Sequence, residues 1–212
     1  GAAHFARLAK LDKVLAFDMG GTTAKLALVE GGRAIRTHDF EVAHVHRFKP
    51  GSGIPVRIPV IDMVEIGAGG GSIARVDGLG RITVGPDSAG SMPGPACYGR
   101  GGTKPTVTDA DLVLSWIDPA LFAGGHITLD PAASGTACTK AVATPLSMTV
   151  ETAALGITEI VTETMASAAR VHAVENGKET AGRTMIAFGG AAPLHAARMA
   201  AKLGMDRVLV PV

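Results

Sequence analysis

The stretch from Leu15 to Gly32, LAFDMGGTTAKLALVEGG, decides the fold. An apolar run ends at Asp18, a turn of two glycines and two threonines follows, and a second apolar run begins at Ala24. Lys13 to Phe17 and Ala24 to Glu30 therefore read as two buried strands joined by that turn. A plain hairpin needs only a Gly or an Asn at its turn. Asp18, Gly20, Gly21, Thr22 and Thr23 together offer more. Glycines let the backbone approach a ligand closely, successive N–H groups form an anion-binding nest, and two hydroxyls add donors. Asp18 does not bind phosphate directly, because like charges repel. It can hold Mg²⁺ or orient an attacking water. Asp18 and Thr22 are thus the candidate catalytic pair. The competing explanation is a strand turn with a satisfied Asp.

A second turn bears on that choice. The segment MIAFGGAAPLHA places Gly189, Gly190 and Ala191 after a buried strand, Thr184 to Phe188, and directly before a helix. Backbone N–H groups at such a junction can press against a nucleotide. Close strand-to-helix packing selects glycine there too. Between the two turns, Thr149 caps a long helix running to about Asn176. Its Val150, Ala153, Ala154, Ile157, Ile160, Val161, Ala168 and Ala169 keep helical spacing, and Gly177 stops it. Pro193 suits the first turn of the next helix, Gly204 ends it, and RVLVPV is a final strand.

The intervening chain is less regular. Arg33 to Phe48 reads as a third strand and Lys49 to Pro55 as a loop. Asp77 to Gly80 is the turn of a hairpin, and Gly85 to Pro105 is a long irregular segment of a length usually tied to function. Thr108 is the expected N-cap of a helix over Asp109 to Ile117, and Pro131 to Ala143 is a weaker helix. The order of strands and helices predicts an α/β fold with mixed strand directions.

Composition narrows the classes of partner. The chain has 212 residues, is 47% apolar and 18% charged, and carries a net charge of +1. That suits a folded domain with no electrostatic attraction to nucleic acid or an anionic membrane. No apolar run reaches the ~20 residues of a membrane helix. Two cysteines, Cys97 and Cys138, imply no disulfide framework, so a cytoplasmic setting is expected. The first residue is Gly1, not Met, and residues 1–12 read as a tag or linker remnant.

With both turns in view, the sequence resembles a known group. FDMGGTTAKLAL looks like the second phosphate motif of the actin, sugar-kinase and Hsp70 ATPase fold, and AFGGAAPLHA like its adenosine motif. EIGAGGGSIARVD, VGPDSAGSMPGPACYGRGGTKPTVTDADLVL and FGGAAPLHAARMAAKLGMDRVLVP are similar to the hydantoinase A / 5-oxoprolinase family. That family includes N-methylhydantoinases and subunits of acetone and acetophenone carboxylases. The resemblance implies a ribonuclease H-like ATPase lobe over residues 13–212, with 49–106 as a Gly/Pro-rich insertion. It implies ATP and Mg²⁺ as cofactors, and phosphoryl activation of the carbonyl or enol oxygen of a cyclic amide such as a hydantoin or 5-oxoproline. A ketone carboxylase subunit, a small-molecule kinase lobe and a non-catalytic nucleotide-binding module are the alternatives. By position, Asp18 serves the Mg²⁺–phosphate end. Gly20, Gly21, Thr22, Thr23 and Lys25 cradle phosphate, and Gly189, Gly190 and Ala191 lie against the adenosine. Many members have an Asp where Lys25 stands and a Gly where Ala192 stands, and no Gly-Gly-Thr motif precedes Asp18 here. The expected partners are an N-terminal lobe and a B-type subunit, in an oligomer. The chain alone is expected to be inactive.

Other residues carry weaker readings. Glu65, Gly70, Gly71, Ser72 and Asp87 are candidates for a substrate or interlobe surface. Glu65 with Asp62 reads equally well as a helix-capping pair, and the glycines as a tight reversal. His44 and His46 share one face of a strand, as solvated residues or metal ligands. Cys97 is a weak candidate nucleophile. His195 falls on the first turn of the last helix, facing the nucleotide or serving as a packing residue. Met165 and Met185 read as core.

Overall fold

The two apolar runs flanking Asp18 form β1 (Lys13–Met19) and β2 (Ala24–Glu30), antiparallel and in register from Lys13 opposite Glu30 to Met19 opposite Ala24. In this computed structural model residues 1–42 and 53–211 are described. Ahead of β1 lies α1 (Ala2–Leu8). After β2 come β3 (Arg33–Ala34), β4 (Arg36–Val42), β5 (Ile54–Ile61), β6 (Met63–Ile66), β7 (Ser72–Val76) and β8 (Ile82–Ser88). Then follow α2 (Val107–Val113), α3 (Pro131–Cys138), α4 (Val150–Glu175), β9 (Thr184–Phe188), α5 (Ala192–Lys202) and β10 (Arg207–Leu209).

The central sheet runs β10-β9-β1-β2, with β3 and β6 both pairing the outer edge of β2. Strands β1, β9 and β10 are parallel, and β2 opposes its neighbours. The sheet is mixed, as expected. Its two faces follow from strand alternation. Leu15, Phe17, Met19, Leu26 and Leu28 pack with α4 and α5 in the main core. Val14, Ala16, Val29 and Ile186 pack with Ala2 and Ala6 of α1 on the other face. The long helix α4 buries Ala153, Ala154, Ile157, Val161, Met165, Ala169 and Ala173, a period near 3.6 that explains its stability better than its propensity does. The Thr149 cap, accepting from Thr152 N, and the stop at Gly177 (φ 62°) match the sequence reading.

Several expectations are corrected. Residues 1–12, read as a remnant, include α1, whose Ala2 and Ala6 are buried against the sheet. The third strand is broken at Ile35 into β3 and β4, and Ile54–Pro55, read as loop, begin β5, which pairs β4 apart from the central sheet. Of the 49–106 insertion, residues 49–52 lie outside the described residues, and β6 belongs to the central sheet. Thr106, not Thr108, caps α2, because its side chain and that of Asp109 form a reciprocal capping box. That helix ends at Val113 rather than Ile117, and Ser115 turns into the left-handed region (φ 59°). The β7–β8 hairpin, helical structure through Ala143 and the last strand are as read from the sequence.

Candidate functional site

Both glycine turns open at the same end of the sheet, because β1 and β9 are adjacent and parallel. Ala191 N donates to Met19 O at 2.9 Å, which binds the second turn to the end of β1. Gly189 (φ 92°) sits where an added Cβ would strike Asp18 Oδ1 and come within 2.7 Å of Met19 O, so only glycine lets the turns meet. A third glycine run backs them. Gly70 N donates to Gly20 O at 3.0 Å and Gly71 N to Gly21 O at 2.7 Å, while a Cβ at Gly69 would lie 2.6 Å from Thr22 N. Gly69 and Gly71 are therefore packing glycines. Gly21, Thr22, Gly189 and Gly190 remain exposed.

Gly20, Gly21, Gly70, Gly190 and Ala191 line one cavity of about 500 Å³. Its far wall is apolar, built by Tyr98, Trp116, Ile117, Phe122 and Leu194. The Gly20, Gly70 and Ala191 N–H groups are already donated to Thr23 O, Gly20 O and Met19 O, so the cavity combines the backbone of Gly21 and Gly190 at one end with an aromatic wall at the other, as a small-molecule site can. Asp18 and Lys25 stand opposite each other in register on the α1 face of the sheet. There they line a second cavity of about 270 Å³ with Phe188 and Met63. Lys25 Nζ donates to Thr23 Oγ1 at 3.1 Å and lies 3.5 Å from Glu65 Oε1. The turn Gly20–Thr23 thus separates the two cavities, with the cradle on one side and the charged groups on the other.

The remaining candidates divide. Gly70 borders the larger cavity. Gly71 is packed behind it, and the buried Ser72 hydroxyl accepts from Gly69 N at 2.9 Å, within its own turn. Asp87, on the β7–β8 hairpin, pairs with Arg75 at 3.1 Å and lines neither of the two cavities. Glu65 sits in strand β6, so the helix-capping reading is wrong. His44 and His46 lie outside the described residues. Among the described residues no three His, Cys, Asp or Glu side chains gather into a metal cluster.

The Gly85–Pro105 segment is fastened rather than free. The fully buried Asp109 carboxylate accepts from Ala96 N, Cys97 N, Thr106 N, Thr106 Oγ1 and Ser134 Oγ. That clamp fixes Tyr98 in the cavity wall. Cys97 and Cys138 are free and buried. Burial, and then the Asp109 charge, raise the Cys97 thiol far above its ordinary range, and the same two causes push Cys138 up to about 12. A nucleophile needs thiolate, so Cys97 is unsuited to that role. At pH 8 a thiol–disulfide exchange reagent is expected to leave both untouched in the folded protein and to modify both after unfolding. Labelling of Cys97 in the native state, read by mass spectrometry, would contradict this placement.

Sequence reasoning missed Asp109 and Asp111 as separate actors. The two lie two apart on a helix, a spacing that sends side chains to different faces. Asp109 turns to the 96–97 backbone, while Asp111 borders the cavity beside His195. Among the described residues no helix is long and apolar enough to cross a membrane.

Comparison with known proteins shows the family to which the chain belongs. The hydantoinase/oxoprolinase family model matches residues 1–212. The chain is 40% identical over 201 residues to the caprolactamase alpha subunit of Pseudomonas jessenii, covering 95% of this chain and 28% of that one. It is 42% identical over 199 residues to the acetophenone carboxylase gamma subunit of Aromatoleum aromaticum, covering 93% and 26%. The solved structure of the ATP-dependent caprolactamase from Pseudomonas jessenii superposes with a TM-score of 0.85 at 38% identity, over 99% of this chain and 29% of that one. The chain spans less than a third of the length of these relatives. On the match along its whole length and the shared fold, this chain belongs to the hydantoinase/oxoprolinase family.

Proposed function

We propose that this chain is the ATP-binding, actin-like lobe of an enzyme that opens cyclic amides by phosphoryl activation. The observation that carries the reading is the convergence of the Gly20–Gly21 and Gly190–Ala191 backbones on one cavity with an apolar far wall. Triphosphate lies against the Gly20–Thr23 turn, where N–H groups and hydroxyls face anions. The adenosine lies over Gly190 and Ala191 against the apolar wall. A sheet in which β2 alone runs against β1, β9 and β10 supports the ribonuclease H-like assignment. From the turn, the terminal phosphate reaches the side of Asp18 and Lys25.

Magnesium is commonly held by one or two carboxylates together with phosphate oxygens. Asp18, at the rim beside Thr22 and Thr23, fits that donor set, and a bound ion there would neutralise developing phosphate charge. Lys25 offsets charge at the same end, and Gly189 leaves room for the Asp18 carboxylate. In the reaction the γ-phosphoryl group passes to the amide oxygen and ADP leaves. Water then adds at the activated carbon, the ring C–N bond breaks to the amine, and a second water releases phosphate. Hydrolysis and carboxylation share the first step. The comparable identity to a caprolactamase subunit and to a carboxylase subunit keeps a ketone carboxylase as the second reading.

Titration calorimetry with Mg-ATP, on the protein at the full length its gene encodes, is expected to give saturable one-to-one binding. ADP release should rise with a lactam or hydantoin and not with a ketone plus bicarbonate. The reverse stimulation would favour the carboxylase. No heat up to about 1 mM ATP, some 4 kcal/mol of binding free energy, would remove the nucleotide reading altogether.

A further inference from the structure

Asp111, which lines the cavity, and His195 beside it are buried polar side chains whose hydrogen bonding is incomplete. Asp111 is 1% exposed and His195 is 0% exposed. Asp111 Oδ2 lies 3.4 Å from His195 Nε2 without a well-aligned hydrogen bond, and Asp111 Oδ1 has no partner among the described residues. The orientation of the histidine is fixed from behind. Thr162 Oγ1 donates its proton to Thr158 O at 2.7 Å, so it can only accept from His195 Nδ1, 3.5 Å away. Nε2 faces Asp111 Oδ2. Trp116 closes the side with its ring edge-on to His195 at 6.3 Å, and Arg198 stacks over that indole at 5.3 Å.

Fold stability does not account for Asp111. A buried carboxylate oxygen without a donor is costly, and such exceptions in folded proteins mark places with another task. Thr108 and Tyr98 share the cavity, but the Thr108 hydroxyl is already committed to Gly70 O at 2.9 Å. Of the two acidic residues lining the cavity, Asp118 is exposed and accepts from Ala120 N, whereas the buried Asp111 Oδ1 has no donor among the described residues. The walls beside it, Trp116 and Ile117, suit a flat, weakly polar group.

We propose that Asp111 Oδ1 accepts a hydrogen bond from the nucleoside part of the bound nucleotide, a ribose hydroxyl or the exocyclic amine of the base. This rests on the nucleotide reading above and adds the group that tells a nucleotide from a bare polyphosphate.

The test uses the full-length protein and calorimetry with Mg-ATP, 2′-deoxy-ATP, 3′-deoxy-ATP, inosine triphosphate and inorganic tripolyphosphate. In the unaltered protein one of the three analogues is expected to bind about ten- to a hundredfold more weakly than ATP, the loss of one hydrogen bond to a charged acceptor. Asp111→Asn should weaken ATP by a similar factor, erase the difference between ATP and that analogue, and leave tripolyphosphate unchanged. If all three analogues match ATP in the unaltered protein, Asp111 holds water only and the proposal is overturned, whether or not the variant folds. Equal weakening of ATP and tripolyphosphate by the variant overturns it too, since that is the signature of a structural role. Failure of the unaltered protein to bind ATP at all is a different pattern, and it defeats the underlying nucleotide reading first.

Discussion

Asp109→Ala is expected to lower the unfolding free energy by about 4 kcal/mol or more, placing it among the exceptional single substitutions. The carboxylate has no solvent contact and gathers donors from three separated parts of the chain: Ala96 and Cys97, Thr106, and Ser134. Alanine leaves each of those buried donors without an acceptor, at roughly 1–3 kcal/mol apiece before any relaxation. It also removes half of the capping box that starts α2. A domain with a total stability of about 5–15 kcal/mol is badly weakened by such a loss. Urea unfolding of variant and parent, with limited proteolysis of the 89–105 segment, measures both consequences. The segment should become the first cleavage site. A variant within about 1 kcal/mol of the parent and equally protease-resistant would mean that Asp109 is not the clamp described here.

This same residue marks the border of what the sequence discloses. The strands around Asp18, the long helix α4 and the Gly189–Gly190 junction were legible because each rests on local periodicity or on a turn. The Thr106–Asp109 capping box was legible in principle, as a Ser/Thr-x-x-Asp/Glu pattern ahead of an apolar run. Thr108 stood closer to the expected helix and masked it. The rest of the clamp was not legible, since the Ala96 and Cys97 amides contribute no side-chain signal and Ser134 lies 25 residues away. Strand β5 was hidden for a different reason. Its Ile54, Val56, Ile58 and Val60 alternate as a strand should, but Pro55 and Pro59 argue against pairing unless the strand stands at an edge, which is where it lies. Helix α1 was passed over because its buried face consists of two alanines, Ala2 and Ala6, too small to register as a core pattern. Within the candidate site, the glycine turns were readable. The cavity between them was not, because its far wall is gathered from separated parts of the chain: Tyr98 ahead of α2, Trp116, Ile117 and Phe122 after it, and Leu194 in α5.

Gly189 and Gly190 are adjacent, yet alanine at the first and valine at the second are expected to fail in opposite ways. Gly189 has φ 92°, a conformation L-residues rarely hold, and its missing Cβ is replaced in space by Asp18 Oδ1 and Met19 O. Gly189→Ala must therefore strain the backbone and part the two turns, and a loss of about 3 kcal/mol in urea unfolding follows. Gly190 has no such excuse for being glycine. Its φ is outside the left-handed region, and a Cβ there meets nothing within 4 Å. Gly190→Val should leave stability within about 0.5 kcal/mol of the parent, as surface changes commonly do. Its side chain, however, would occupy the mouth of the cavity bordered by Gly20 and Ala191. Mg-ATP affinity should then fall by about a hundredfold or more, the scale of a lost or blocked contact worth some 3 kcal/mol. Because the variant stays folded, the loss of binding cannot be assigned to unfolding. Unchanged affinity in Gly190→Val would mean that the nucleotide, if it binds at all, does not use the cavity between the two turns, and the smaller cavity at Asp18 and Lys25 would become the site to test.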